Sequence, residues 1–203
     1  MNDWEVRMND GNEYTLSVEK VSIRTMLLII PVVIIYALPF YLVWGKNVLT
    51  ELRFRSLLFL FVFIVLGIVI HELLHGIVWA VFSKHGFRSV HFGIKWEYLT
   101  PYCHCTEPLK VWQYVAGGLA PLLFMGLIPG IMAMFNGNAL WMFFAIFFSV
   151  AAGGDIQAVW MLRKFHGNQI VCDHPEELGF IIQDESIIND GEVQSHNGNR
   201  TYT

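Results

Sequence analysis

The sequence predicts an all-α polytopic membrane protein with about four transmembrane helices and a small β-hairpin between the second and third. Three observations predict it. Apolar runs recur at about 26–44, 57–82, 112–135 and 139–162, and a spanning helix needs about 20 mostly apolar residues. The chain is 55% hydrophobic with a mean hydropathy of +0.48, and 15% of its residues are charged, against roughly 25% in an average soluble domain. Between the second and third runs the apolar residues switch to a period of two, the spacing of a strand rather than a helix.

Residues 1–24 read as an N-terminal cytoplasmic lead. They are polar and mixed in charge, without the apolar core or cleavage pattern of a secretory signal. Asn9-Asp10-Gly11-Asn12 reads as a turn, and the alternation of Tyr14, Leu16 and Val18 as a short strand. Arg24 precedes the first apolar run, Met26 to Trp44, in which Pro31 and Pro39 predict kinks. Membrane helices tolerate these where neighbours satisfy the freed carbonyls. A polar connection holding Lys46, Arg53 and Arg55 leads to the second run, Leu57 to Phe82. The third run carries Gly117-Gly118, Pro121 and Pro129, a composition that also allows a re-entrant piece. Asn136-Gly137-Asn138 is a tight turn, and the fourth run follows. The membrane domain therefore covers 25–165, and 166–203 forms a C-terminal cytoplasmic tail. In that tail Asp173 to Phe180 mixes a turn with an apolar patch, and 189–203 has the polar composition of a disordered segment.

The segment 83–111 is more than a connection. Val90, Phe92, Ile94, Trp96 and Tyr98 alternate with His91, Gly93, Lys95 and Glu97, which predicts a half-buried strand. Thr100-Pro101 turns the chain, and Tyr102 to Thr106 returns as a second strand. Such a hairpin either lies on the membrane surface or offers an edge strand to an unwound peptide by β-augmentation.

Lys and Arg near span ends favour the cytoplasm. With four spans, the N-terminus, the 83–111 segment and the C-terminus share one side, which carries Lys20, Arg24, Lys84, Arg88, Lys95, Lys110, Arg163 and Lys164. Lys46, Arg53 and Arg55 lie on the other. The expectation is a multi-pass protein of the cell membrane with both termini cytoplasmic. Cys103, Cys105 and Cys172 form no even disulfide framework and read as reduced thiols. A net charge of -4 argues against a nucleic-acid partner and leaves the lipid bilayer as the evident one.

Within the second run lies His71-Glu72-Leu73-Leu74-His75, an H-E-x-x-H motif. On a helix its histidines share one face, and the motif is a zinc-hydrolase signature. Ionisable groups inside a membrane-length helix are costly and mark functional sites. Catalytic zinc has three protein ligands and an open position for water. His71 and His75 supply two, and Glu72 is placed as general base. Outside the motif, the apolar runs hold one acid or histidine, Asp155. His71 and His75 lie 14 and 18 residues from Leu57, and Asp155 lies 16 from Ala139, so at equal rise per residue the three are level. A buried polar network, an ion-handling or transport pathway, and a non-catalytic metal scaffold use the same residue types and stand as alternatives. Cys103-His104-Cys105 is poorly spaced for a structural metal site. Cys103 and His104 read better as a substrate contact or gate, joined by Gly118 and Pro121 on the third run.

These residues resemble the site-2-protease class of intramembrane zinc metalloproteases, which carry H-E-x-x-H on one span and an aspartate on a later one. Ala116-Gly117-Gly118-Leu119-Ala120-Pro121 is similar to the small-residue motif on the helix between. The H-E-L-L-H-G, P-Y-C-H-C, A-G-G-D-I and D-H-P-E segments look closer still to a family of small bacterial membrane proteins described as zincin peptidases. The resemblance covers about 57–180. It implies zinc held by His71, His75 and Asp155, Glu72 as the catalytic acid/base, and cleavage of membrane-anchored protein or peptide substrates unwound near the membrane. Gly153-Gly154-Asp155-Ile156 departs from the Asn-Pro-x-x-Asp-Gly context of that class. Pro121 stands where an Asn is expected, and there is no PDZ-like domain.

Overall fold

A computed structural model describes residues 13–45, 54–97, 100–174 and 178–183. The turn expected at 9–12, the loop holding Lys46 and Arg53, and the tail beyond 183 lie outside the described residues. In chain order the elements are β1 (Glu13–Leu16), α1 (Val18–Trp44), α2 (Phe54–Phe82), a 3-10 turn (Gly86–Ser89), β2 (Val90–Lys95), β3 (Thr100–Cys105), β4 (Leu109–Lys110), α3 (Val111–Asn136), α4 (Ala139–Ala151), α5 (Gly153–Leu162), β5 (Ile170–Asp173) and β6 (Leu178–Gln183).

Three helices, α1, α2 and α3, are long and apolar enough to cross a membrane, and a fourth span arises if α4 and α5 count as one. Protein covers only 6% and 11% of the apolar windows of α1 and α2, but 44% of that of α3. Helices apolar all round and so little covered by protein are consistent with lipid as their remaining neighbour. The central helix is therefore α3.

Two sequence expectations change here. The third run is unbroken rather than re-entrant. Between Pro121 and Pro129 it widens into a π-helical stretch, Leu122–Leu127, in which Ile128 N–H donates to Leu123 O. Pro129 has no N–H to offer, so the shifted register meets the gap in the ladder. There Gly126 lets α4 approach, since a Cβ would stand 2.4 Å from Ser149 Oγ. The break falls instead in the fourth run, where α4 and α5 meet at 46° around Ala152.

α1 begins at Val18, before the Met26 start read from hydropathy. Ser17 caps it, its Oγ accepting from Lys20 N–H at 3.3 Å. Val21, in the first turn, is buried with Leu16, Leu109, Val171 and Phe180. That core belongs to an antiparallel sheet of order β1-β6-β5-β4, with Glu13 opposite Ile181 and Leu109 opposite Val171. The lead and the tail are thus partly folded onto each other, because Phe180, Val171 and Ile182 need a common apolar cover. One sheet gathers the N-terminal segment, the segment before α3 and the C-terminal strands at one end of the helices.

β2 and β3 pair antiparallel, Val90 opposite Cys105 and Lys95 opposite Thr100. Thr100 and Pro101 lie inside β3 rather than in the turn. The apolar row from Val90 to Trp96 is not half-buried as alternation suggested: Val90 is buried, but Phe92, Ile94 and Trp96 are exposed. The row turns outward beyond its start, where the side chains of Val90 and Phe92 crowd Gly76 of α2.

Candidate metal centre

His71 and His75 sit one turn apart on α2, both buried, their rings 5.0 Å apart and steeply inclined. Asp155 lies in the first turn of α5. The bend at Ala152 re-aims that turn, and the carboxylate meets both imidazoles. His71 Nε2 is 3.2 Å from Asp155 Oδ2, and His75 Nε2 is 3.4 Å from Asp155 Oδ1. The ligating atoms of all three residues lie within 4.8 Å of one another, and this is the one such group among the described residues. A tetrahedral zinc with bonds of about 2.0–2.1 Å sets neighbouring donor atoms about 3.3 Å apart. The donor set and its spacing fit the ion.

The tautomer of His75 fits as well. Its Nδ1 lies 2.9 Å from the carbonyl oxygen of Gly117, which only accepts, so Nδ1 carries the proton. In the neutral ring Nε2 then holds a lone pair, aimed at a carboxylate oxygen. A bound cation or a proton on Nε2 joins the two across 3.4 Å. Trp79 holds the ring in place: it stacks on His75 and on Tyr114, and its indole N–H donates to Tyr114 O at 3.1 Å. His71 Nδ1 is buried without a hydrogen-bond partner among the described residues.

Glu72, half-buried beside the two histidines, faces the backbone N–H of Cys103. β3 thereby turns one edge to the site. Thr106 N–H donates back to Ser89 O, so the even residues of β3 face β2 and the odd ones face away. The outward N–H of Cys103 meets Glu72, and that of Cys105 meets Asp173 Oδ2 at 3.2 Å.

Glu72 and the His/His/Asp group open on one cleft of about 730 Å³. Cys103, His104 and Gly118 line it, as does Asp155. Pro121 does not: it is fully buried, taken up in the packing of α3. His91 and His174 also line the cleft. His85 instead pairs with Glu107 beside the 3-10 turn, whereas His196 falls outside the described residues. Cys103, Cys105 and Cys172 are free thiols, and burial pushes all three above the ordinary thiol range.

Four contributors escaped sequence reading. Gly117 acts through its carbonyl, and a Cβ there would stand 2.1 Å from Trp79 Nε1. Gln157, buried on α5, places Nε2 within 3.3 Å of Val21 O, Thr25 Oγ1 and Gly153 O, tying α1 to the ligand-bearing turn. Tyr114 and Asp173 bond each other at 2.6 Å.

Apolar, membrane-length helices carrying a His/His/Asp group that could hold a metal ion, with a glutamate beside it, define the class. A family model described as "putative zincin peptidase" matches residues 64–170, more than half of the chain, and the protein belongs to that family. No curated protein and no solved structure matches it.

Proposed function

We propose that the protein is a zinc-dependent endopeptidase that hydrolyses peptide bonds of membrane-anchored substrates at membrane depth, with both termini in the cytoplasm. The observation that carries this reading is the convergence of His71, His75 and Asp155 ligating atoms within 4.8 Å of one another, with Glu72 on the same cleft. His71, His75 and Asp155 hold the ion. When bound, zinc supplies Lewis-acid stabilisation of the reacting carbonyl and makes a water acidic enough to attack near neutral pH. Glu72 takes a proton from the attacking water and returns it to the leaving amine. Cys103 N–H orients the Glu72 carboxylate for that transfer. Substrate lies extended along β3. The outward carbonyls of that edge accept from it, while the Cys103 and Cys105 N–H groups stay on their carboxylates.

The test compares membrane proteomes of cells expressing wild type and Glu72→Gln. Fragments of membrane proteins that depend on Glu72 support the reading, and their complete absence refutes it.

A further inference from the structure

One carboxylate from outside the helices holds the strand edge that faces Glu72. Asp173 ends β5, where the four-stranded sheet fixes its backbone. It stands opposite the fully buried Phe180, and the next N–H, of His174, donates to Gly179 O at 3.0 Å. Its side chain bridges two other elements. Oδ1 accepts from the Tyr114 hydroxyl of α3 at 2.6 Å, and Oδ2 accepts from Cys105 N–H of β3 at 3.2 Å. His104 Nδ1, also on β3, lies 3.1 Å from the same Oδ2; a neutral imidazole with its proton on Nδ1 satisfies that contact. Tyr114 is held in turn. It is buried and stacks on Trp79, which stacks on His75.

β3 needs such a tether. Among the described residues β2 and β3 form a two-stranded sheet of their own, and two strands alone are marginally stable. On the outward edge of β3, Pro101 has no N–H, so Cys103 and Cys105 carry the two donors of that edge. The first meets Glu72 and the second meets Asp173. Outward N–H groups two residues apart on a strand keep a separation of about 7 Å, so fixing one places the other. A displacement of about 1 Å at Cys105 carries through to Cys103 and takes its N–H out of hydrogen-bond range of Glu72.

Resting on the peptidase reading, we propose that Asp173 is a positioning residue for Glu72: by bridging Tyr114 and Cys105 it fixes the β3 edge, and through Cys103 N–H that edge aims the Glu72 carboxylate. Asp173 thus acts through β3 and takes no part in the proton transfer. Because substrate lies along the same edge, one carboxylate aligns the base and the scissile segment together. β5 is joined to β1 through β6, so the N-terminal segment and the C-terminal strands both stand behind this alignment.

The test uses the zinc-loaded full chain in detergent, with fluorescein-labelled casein as substrate and amide hydrogen exchange read by mass spectrometry. Asp173→Ala should lower kcat roughly 10- to 100-fold at unchanged zinc content. It should speed exchange at Cys103 and Cys105, while the Val111 amide, bonded to Gln169 O at the other end of β5, stays protected. Asp173→Asn keeps an acceptor for Cys105 N–H and should recover most of kcat and of the Cys103 protection. Tyr114→Phe removes one hydroxyl and keeps the ring. It should shift kcat and Cys103 exchange in the same direction by less, and it decides the matter if Asp173→Ala does not fold. Unchanged kcat or unchanged Cys103 exchange in folded Asp173→Ala would each overturn the proposal. Acceleration at Val111 equal to that at Cys103 marks general loosening and overturns it too. A wild type whose cleavage depends on Glu72 but not on Asp173 overturns this inference alone. A wild type without Glu72-dependent cleavage removes the peptidase reading and this inference with it.

Discussion

The carbonyl oxygen of Gly117 accepts the Nδ1 proton of His75 at 2.9 Å, and this backbone contact between α3 and α2 decides which imidazole nitrogen faces Asp155. Outer partners of this kind fix the ring and tautomer of a metal-ligating histidine, and losing one costs about 10–100-fold in affinity. Gly117 is also where α3 passes closest to Trp79. Gly117→Ala should therefore cost about 1–3 kcal/mol of stability through overpacking and weaken zinc binding about tenfold. Thermal unfolding and a zinc competition titration measure the two effects. Unaltered affinity would mean that the carbonyl does not set the tautomer.

Gln157 anchors the first turn of α5 to α1 through Val21 and Thr25. Gln157→Ala removes the buried amide and leaves its acceptors uncompensated, a loss of about 1–3 kcal/mol. A lowered Tm with reduced zinc affinity is expected. A lowered Tm alone would separate the helix tie from the placement of Asp155.

The thiolate is the reactive form of cysteine, and burial raises Cys103, Cys105 and Cys172 alike. Native protein should resist iodoacetamide at pH 7.5 or so, and mass spectrometry should find all three labelled only after denaturation. Fast labelling of Cys103 in the folded chain would contradict a thiol raised by burial and by the neighbouring Glu72.

Glu107 is held below the ordinary carboxylate range, first by its hydrogen bond with His85, and it also accepts from Lys84 N–H at 2.7 Å. A depressed carboxylate contributes above its unfolded pKa and loses that contribution as pH falls through the folded one. Exchange of the Lys84 amide, corrected for intrinsic rate, should therefore accelerate only in acid. Glu107→Gln should abolish that pH dependence.

What was legible in the sequence was local or forced by the membrane. H-E-x-x-H needs only helical spacing, and Asp155 stood out because so few ionisable groups share the apolar runs. Contributors acting through the backbone left no such mark: the Gly117 carbonyl and the Cys103 N–H belong to peptide groups every residue has. Asp173 was hidden for another reason. Its role depends on β5 joining β4 and β6, a pairing between distant segments that hydropathy does not register. The Val18 start of α1 was missed because its first turns pack on that sheet, so Lys20 and Arg24 read as a boundary rather than a helix. The bend at Ala152 lay inside a run whose hydropathy continues without a break, although Gly153-Gly154 marks the place.

Elemental analysis of the purified full-length chain tests the three-residue cage most directly. About one zinc per chain is predicted for wild type and for Glu72→Gln, and none after His71→Ala or Asp155→Ala. Wild-type protein that carries no metal, and takes up none from added zinc, would contradict it.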